Sequence, residues 1–372
     1  MASRPGIALV ALGAVLAACE SGTATLSPSP SGSTALGPSA PASVSESSSG
    51  APTSSPAATG WLALGTAAGP AAREDHTWTV DGDGAVAYLF GGRGPGAPRG
   101  FADLWAYDLD TDSWRELEDG PPARFGHNAA WVPGTGLVIF AGQAGTTFYN
   151  DLWAYDPGTE AWRQLPAGGD RPIPRYGSCA ALGPDGRLWI SHGFTSEGAR
   201  FADTRAYDVG TDAWADESPA GDVPVARCLH GCWWTLDGRF VLYGGQTTGT
   251  TALGDLWVLT IGQRPGTSTW AESSVLPMAA RNLYAATSWS GGGDTLVFGG
   301  QAADGSYLGD LWVVIGANLS AQQLSAGGGP AGRSGAELIE DAARDRILLF
   351  GGRDGSTHYA DMWEFIMGPP QA

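Results

Sequence analysis

One hairpin text recurs along this chain and limits what it can fold into. Its clearest copy is Phe148 to Leu165, FYNDLWAYDPGTEAWRQL, where two alternating runs, 151–155 and 161–165, flank the turn Asp156-Pro-Gly-Thr. Apolar residues at every second place with a Pro-Gly turn between them describe an antiparallel hairpin with one buried face. Asp103-Leu-Trp leads to Trp114, Asp203-Thr-Arg to Trp214, and Asp255-Leu-Trp to Trp270; Asp310-Leu-Trp and Asp361-Met-Trp complete the set. A unit repeated in this way sets the fold.

Two further landmarks travel with each hairpin. Upstream stands an arginine: Arg73, Arg124, Arg175, Arg227, Arg281 and Arg333, spaced 51 to 54 residues apart. Between it and the aspartate lies a β-rich run closing on glycine, as in Tyr88-Leu-Phe-Gly-Gly92, Val138-Ile-Phe-Ala-Gly142 and Leu348-Leu-Phe-Gly-Gly352. Each period thus holds four strands, a spacing that predicts an all-β propeller of four-stranded blades. Residue size agrees, because small residues recur early in each period while most of the sixteen Trp fall late, where the gap between radiating blades is widest.

The ends predict six blades. Gly60-Trp-Leu-Ala-Leu64 copies a fourth strand with no first three before it, and the last unit, ending at Met367, lacks one. The leading strand is therefore expected to complete the last blade and close the ring, which removes an exposed edge. Arginine, a run ending Gly-Gly, Asp-Leu-Trp and a distal Trp together resemble the Kelch repeat from Trp61 to Met367. Blade three departs at Ser191-His192-Gly193 and Thr204-Arg205, and blade five has Ala321 for the distal Trp.

Outside the repeats, Ile7 to Ala18 is an apolar run after a single arginine, too short to span a bilayer, and it reads as a signal-peptide core. Leu16-Ala-Ala-Cys19 resembles the lipobox of bacterial lipoproteins, which implies lipidation at Cys19. Residues 20–59 are Ser, Pro, Ala, Thr and Gly with two charges, so they read as a disordered tether of about 35 Å coil-like reach. The expected organisation is signal 1–19, tether 20–59, propeller 60–367 and tail 368–372, with the propeller lipid-anchored at the outer face of the cell membrane. A net charge of −18 argues against nucleic acid and for a soluble monomer. Cys179, Cys228 and Cys232 allow at most one disulfide; a Cys179–Cys232 pair on neighbouring first strands is open by level, though parity faces the two oppositely, and the sequence leaves the disulfide state undecided.

In this topology the loops after each second strand share a face with the six arginines. Six arginines are matched by six aspartates, Asp103, Asp151, Asp203, Asp255, Asp310 and Asp361. A residue present in every blade meets a need of every blade, so pairing is the favoured reading, with a binding ring as the other. Loop residues not common to all six blades are the better ligand candidates at the channel mouth: Arg93, Arg99, Gln143, Phe148, Phe194, Arg200, Gln246, Gln301, Tyr307, Arg353 and His358. Polar groups beside aromatic faces suit a protein, peptide or glycan, and the Kelch resemblance implies ligands at this mouth.

Phe101, Tyr149, Phe201 and Tyr359, two before the aspartate, are expected to anchor loops. His76, His127 and His230 recur three after the arginine in separate blades, which suits a repeat feature better than a metal set. Asp108 to Asp112 reads as a capped turn rather than a calcium loop. No metal and no cofactor are expected. The resemblance also implies two enzymatic alternatives to a binding module. One is a sialic acid mutarotase type of reaction, for which Glu197 is the loop carboxylate. The other is a copper radical oxidase related to galactose oxidase, whose Tyr-His pair is absent.

Overall fold

The computed structural model describes residues 60–65, 68–248, 251–262, 264, 267–273, 275–289, 291–324 and 328–367. The expected signal, lipobox, tether and tail lie outside the described residues. Within them the chain is all strand and turn, wound into six four-stranded antiparallel blades. Blade 2 shows the plan, with strands Asn128–Val132, Gly136–Phe140, Leu152–Asp156 and Ala161–Leu165 running from the axis outward. Its outer pair is the hairpin read from sequence, with Tyr155 opposite Trp162.

Blade 6 is completed from the other end of the chain. Gly60–Leu64 pairs antiparallel with Met362–Ile366, and Trp61 stands opposite Phe365. The Trp61 ring meets Phe298 of blade 5 and Phe365 edge-on, at 5.4 and 5.2 Å. Hydrophobic burial holds the join as well as backbone pairing.

There is no single central core. Six apolar clusters fill the six gaps between neighbouring blades, one cluster to a gap. Each blade is thus buried on both faces, which explains why second strands such as Gly136–Phe140 are buried throughout rather than alternating. Blade 3 is the irregular one. Its third strand, Arg200–Asp208, runs nine residues and its register with Leu188–Phe194 shifts between Ser191 and Gly193. His192 occupies the place of the first glycine with φ 59°.

Candidate functional site

The six arginines form six equivalent stations. Each guanidinium makes two hydrogen bonds to the aspartate of its own blade, at 2.5–3.1 Å. Nη1 also donates to a carbonyl at the end of the second strand, such as Gly91 or Ala141, and Nε to the carbonyl two residues back. At five stations the following Trp donates Nε1–H to the same carboxylate; blade 3 uses Arg205. The arginine side chains are at most 1% exposed. Burial works to raise the pKa of Asp151, Asp203, Asp255 and Asp310, and the paired guanidinium outweighs it and leaves each below its ordinary value. A bidentate pair this enclosed ties first, second and third strands together. Phe101, Tyr149, Phe201 and Tyr359 lie against the guanidiniums at 3.8–4.6 Å, so the recurring aromatic covers the station.

Two residues beyond each arginine the backbone turns to positive φ, 50–64° at Asp75, Gly126, Gly177, Leu229, Leu283 and Gly335. Their amides join head to tail around the axis: each N–H donates to the ring carbonyl of the preceding blade at 2.7–3.0 Å, and Asp75 donates to Gly335 to complete the circle. The axial cavity, about 570 Å³, is lined at one end by these six residues and at the other by Gly84 and Ala342 of the opposite face. It is a well that ends at the amide ring. None of the eleven loop residues expected around the channel mouth lines it. They lie instead in the loops above the ring, Phe194 and Gln246 among them buried.

Two different areas lie there. At the seam between blades 6 and 1, buried Glu74 is held by Arg93 Nε at 3.1 Å, Arg353 Nε at 2.7 Å and His358 Nε2 at 3.4 Å. Burial raises the Glu74 pKa, but His358, Arg93 and Arg353 outweigh it and leave it lowered. Next to it Asp75 accepts a hydrogen bond at 3.0 Å from Tyr176 Oη, which reaches over from blade 3. The Tyr176 ring crosses Gly126 so closely that a Cβ there would lie 2.0 Å from it, so glycine is required at that place. Burial and the Glu74 charge raise the Asp75 pKa to about 6.

Over blades 2 to 4 the loops close on a buried apolar cluster. Phe125, Tyr176, Phe194, Cys228 and Leu229 cluster there with Phe148 and Leu283 against them. Arg93 lies over Phe125 at 4.7 Å and joins the two areas. Arg200 lies over Phe194 at 5.5 Å, and its Nε and Nη2 are buried without a hydrogen-bond acceptor.

Comparison with known proteins agrees with the blade pattern. A family model described as the KLHDC2/KLHL20/DRC7 Kelch-repeats domain matches residues 59–245 and 217–368. The chain belongs to the Kelch-repeat family. Similar proteins include an F-box/kelch-repeat protein of Arabidopsis thaliana, 27% identical over 332 residues, 76% of this chain and 66% of the relative. A tRNA wybutosine-synthesizing protein 4 of Emericella nidulans is 29% identical over 199 residues, covering 49% of this chain and 18% of that protein. Adagio protein 3 of Arabidopsis thaliana is 29% identical over 168 residues, 42% and 26% respectively. The chain thus spans less than two thirds of each of these relatives.

The other expected residues of this Kelch propeller have local duties. Gln143 and Gln301 donate Nε2–H to Gly145 and Gly305 within their own loops. Gln246 is buried and bridges to Cys228, Arg99 is exposed beside Gly145, and Tyr307 stands by Gly355 of the next loop. Sequence reasoning passed over Glu74 and Asp75. Their signal was present, since Arg73-Glu-Asp-His stands where blade 2 reads Arg124-Phe-Gly-His.

His76 and His127 pack edge-on against Phe350 and Phe90 of the preceding blade, and His230 against His192. Burial lowers the pKa of all four histidines, and His127 accepts from or donates to Thr77 Oγ1 at 2.9 Å. They are inter-blade spacers. Among the described residues no three His, Cys, Asp or Glu are grouped to hold a metal. Asp108 caps its turn by accepting from the Asp110 and Thr111 amides, while Asp110 pairs with Arg344. Cys179 and Cys232 form a disulfide between blades 3 and 4, and Cys228 is buried outside it. Glu197 is exposed in its loop.

Proposed function

We propose that this Kelch propeller is a binding module for a protein or peptide, presented outside the cell membrane from a lipid on Cys19. The reading rests on Arg200, whose buried Nε–H and Nη2–H groups lack acceptors beside the Phe148–Phe194 pair. Buried donors left unmade cost free energy, and a peptide carbonyl or carboxylate seated on the aromatic pair supplies the acceptor. Arg93 and Arg353 extend the same surface with partly exposed guanidinium groups, His358 beside them, on a chain of net charge −18. An acidic or neutral segment fits it better than a basic one.

The test is capture from the cell envelope with wild-type protein, Arg200→Ala and Phe194→Ala, melting temperatures being checked alongside. Partners held by wild type and lost from Arg200→Ala at unchanged stability support the surface; partners retained by both variants overturn it. A glycan array run with the same proteins separates a sugar ligand from a peptide. Binding there that depends on Arg200 moves the assignment to glycans.

A further inference from the structure

The six blades do not present equal rims. The outermost strand of a blade has one hydrogen-bonding edge left over, and such an edge accepts another strand unless something blocks it. Blade 1 carries exposed Arg115 and Glu116 there, blade 2 Arg163 and blade 4 Glu272. Blade 3 covers its rim, since Gly168–Gly169 pairs along the outer strand Ala213–Asp216, and blade 5 has exposed Gln322 and Gln323. Blade 6 ends in Gly60–Leu64. Where blades 1 and 2 read Trp114-Arg115-Glu116 and Trp162-Arg163-Gln164, this strand reads Trp61-Leu62-Ala63. Leu62 stands in the place of the arginine, 54% exposed, and Ala63 after it is exposed too. One edge of the strand pairs with Met362–Ile366, and the other meets no described strand. Neither a charge nor a proline lies within it to turn a partner away.

We propose that this rim pairs with a second copy of the chain, the two Gly60–Leu64 strands running antiparallel about a two-fold axis at Leu62. The occupant follows from the strand itself. Pairing centred on position 62 sets Leu62 against Leu62, which covers an exposed leucine, and sets Trp61 opposite the small Ala63. The same operation at blades 1 and 2 would set Arg115 against Arg115 and Arg163 against Arg163, like charges directly opposite. The two-fold is open at blade 6 and blocked at those two. A five-residue edge is a small interface and each copy carries −18, so the dimer is weak, about 10 μM or weaker, and tightens as salt screens the repulsion. It departs from the monomer expected from net charge. Blade 6 lies across the axis from blade 3, so the surface around Arg200 stays open in both copies. The pairing depends neither on that surface nor on the lipid anchor.

Sedimentation velocity of the full chain, in one mild detergent throughout, is the test. Wild type should pass from monomer to dimer between about 1 and 100 μM, and at lower concentration once salt is raised to about 0.5 M. Leu62→Arg restores the residue that guards blades 1 and 2, and Glu364 stands directly across the ladder to meet it. It should weaken the dimer about tenfold or more at an unchanged melting temperature. Leu62→Ser, which adds no charge, should weaken it less, and it decides the matter should the arginine lower the melt. Arg200→Ala should dimerise as wild type does, which separates the rim from the mouth. A monomer at every concentration, a dimer unmoved by both Leu62 variants, or a dimer lost in Arg200→Ala would each overturn the proposal. So would a wild type that stays monomeric and takes up a different chain along this edge.

Discussion

At each of the six stations an arginine and an aspartate of the same blade face each other, whereas at the seam between blades 6 and 1 the partners come from opposite ends of the chain. Arg346 of blade 6 is bound by Asp341 at 2.8 Å, Glu364 at 3.1 Å and Asp112 of blade 1 at 2.5 Å. On the other face Arg353 crosses the same seam to Glu74. The stations bind strands within a blade, and they repeat because every blade needs them. The seam binds the first blade to the last, and its charges occur once. A ring closed by noncovalent pairing concentrates its particular features at the join, where sequence periodicity has nothing to say.

The largest way to break this comparison is to remove the join. Deleting 60–64 strips the outer strand of blade 6 and the Trp61 packing, where a buried Trp alone is worth about 3–5 kcal/mol. Loss of a single cooperative unfolding transition is expected in calorimetry; an unchanged melt would mean that the seam holds without its strand. Arg124→Ala or Arg227→Ala comes next, at about 3–5 kcal/mol each, because an aspartate stays behind unpaired in a partly buried site. Arg93→Ala should cost less than either, since Glu74 keeps Arg353 and His358. Denaturant titration orders the three, and equal losses would erase the distinction between station and seam. Reducing Cys179–Cys232, which closes a separation of 53 residues, should cost about 2–4 kcal/mol by the chain-entropy account.

The smallest effect is in pH. Burial and Asp75 raise the Glu337 pKa to about 8 from 4.5, and Asp75 is raised to about 6 from 3.8. Both therefore bind protons more tightly folded than unfolded. Their contribution is full below about pH 4 and drains as pH rises through about 6 and then about 8. Glu74, lowered by its partners, runs oppositely and loses its contribution as pH falls. Glu337→Gln should match wild type in melting temperature near pH 4 and exceed it by a few degrees near pH 8.5. Parallel melts across that range would remove Glu337 from the seam's electrostatics.

The blade count, the ring closure by 60–64 and the Arg–Asp pairing were legible because each repeats or completes a repeat. Asp103 and Arg73 are 30 residues apart, yet five other copies state the same relation. Glu74 with Arg353 has no copy, and only the folded circle reveals that positions 279 residues apart are neighbours. The end of the well was hidden for another reason. It is built from backbone amides at places occupied by Asp, Gly and Leu alike, so its signal is the offset from each arginine rather than any residue type.

That hydrogen-bonded circle has a further consequence for how the molecule tolerates change. Every member both gives and takes, so there is no terminal link at which the circuit frays. Proline is barred at 75, 126, 177, 229, 283 and 335, because it has no N–H to give and its ring cannot take the positive φ these places require. A tilt forced on one blade by anything docking near it must be handed on to its two neighbours, so the disk answers a local push by flexing as a whole.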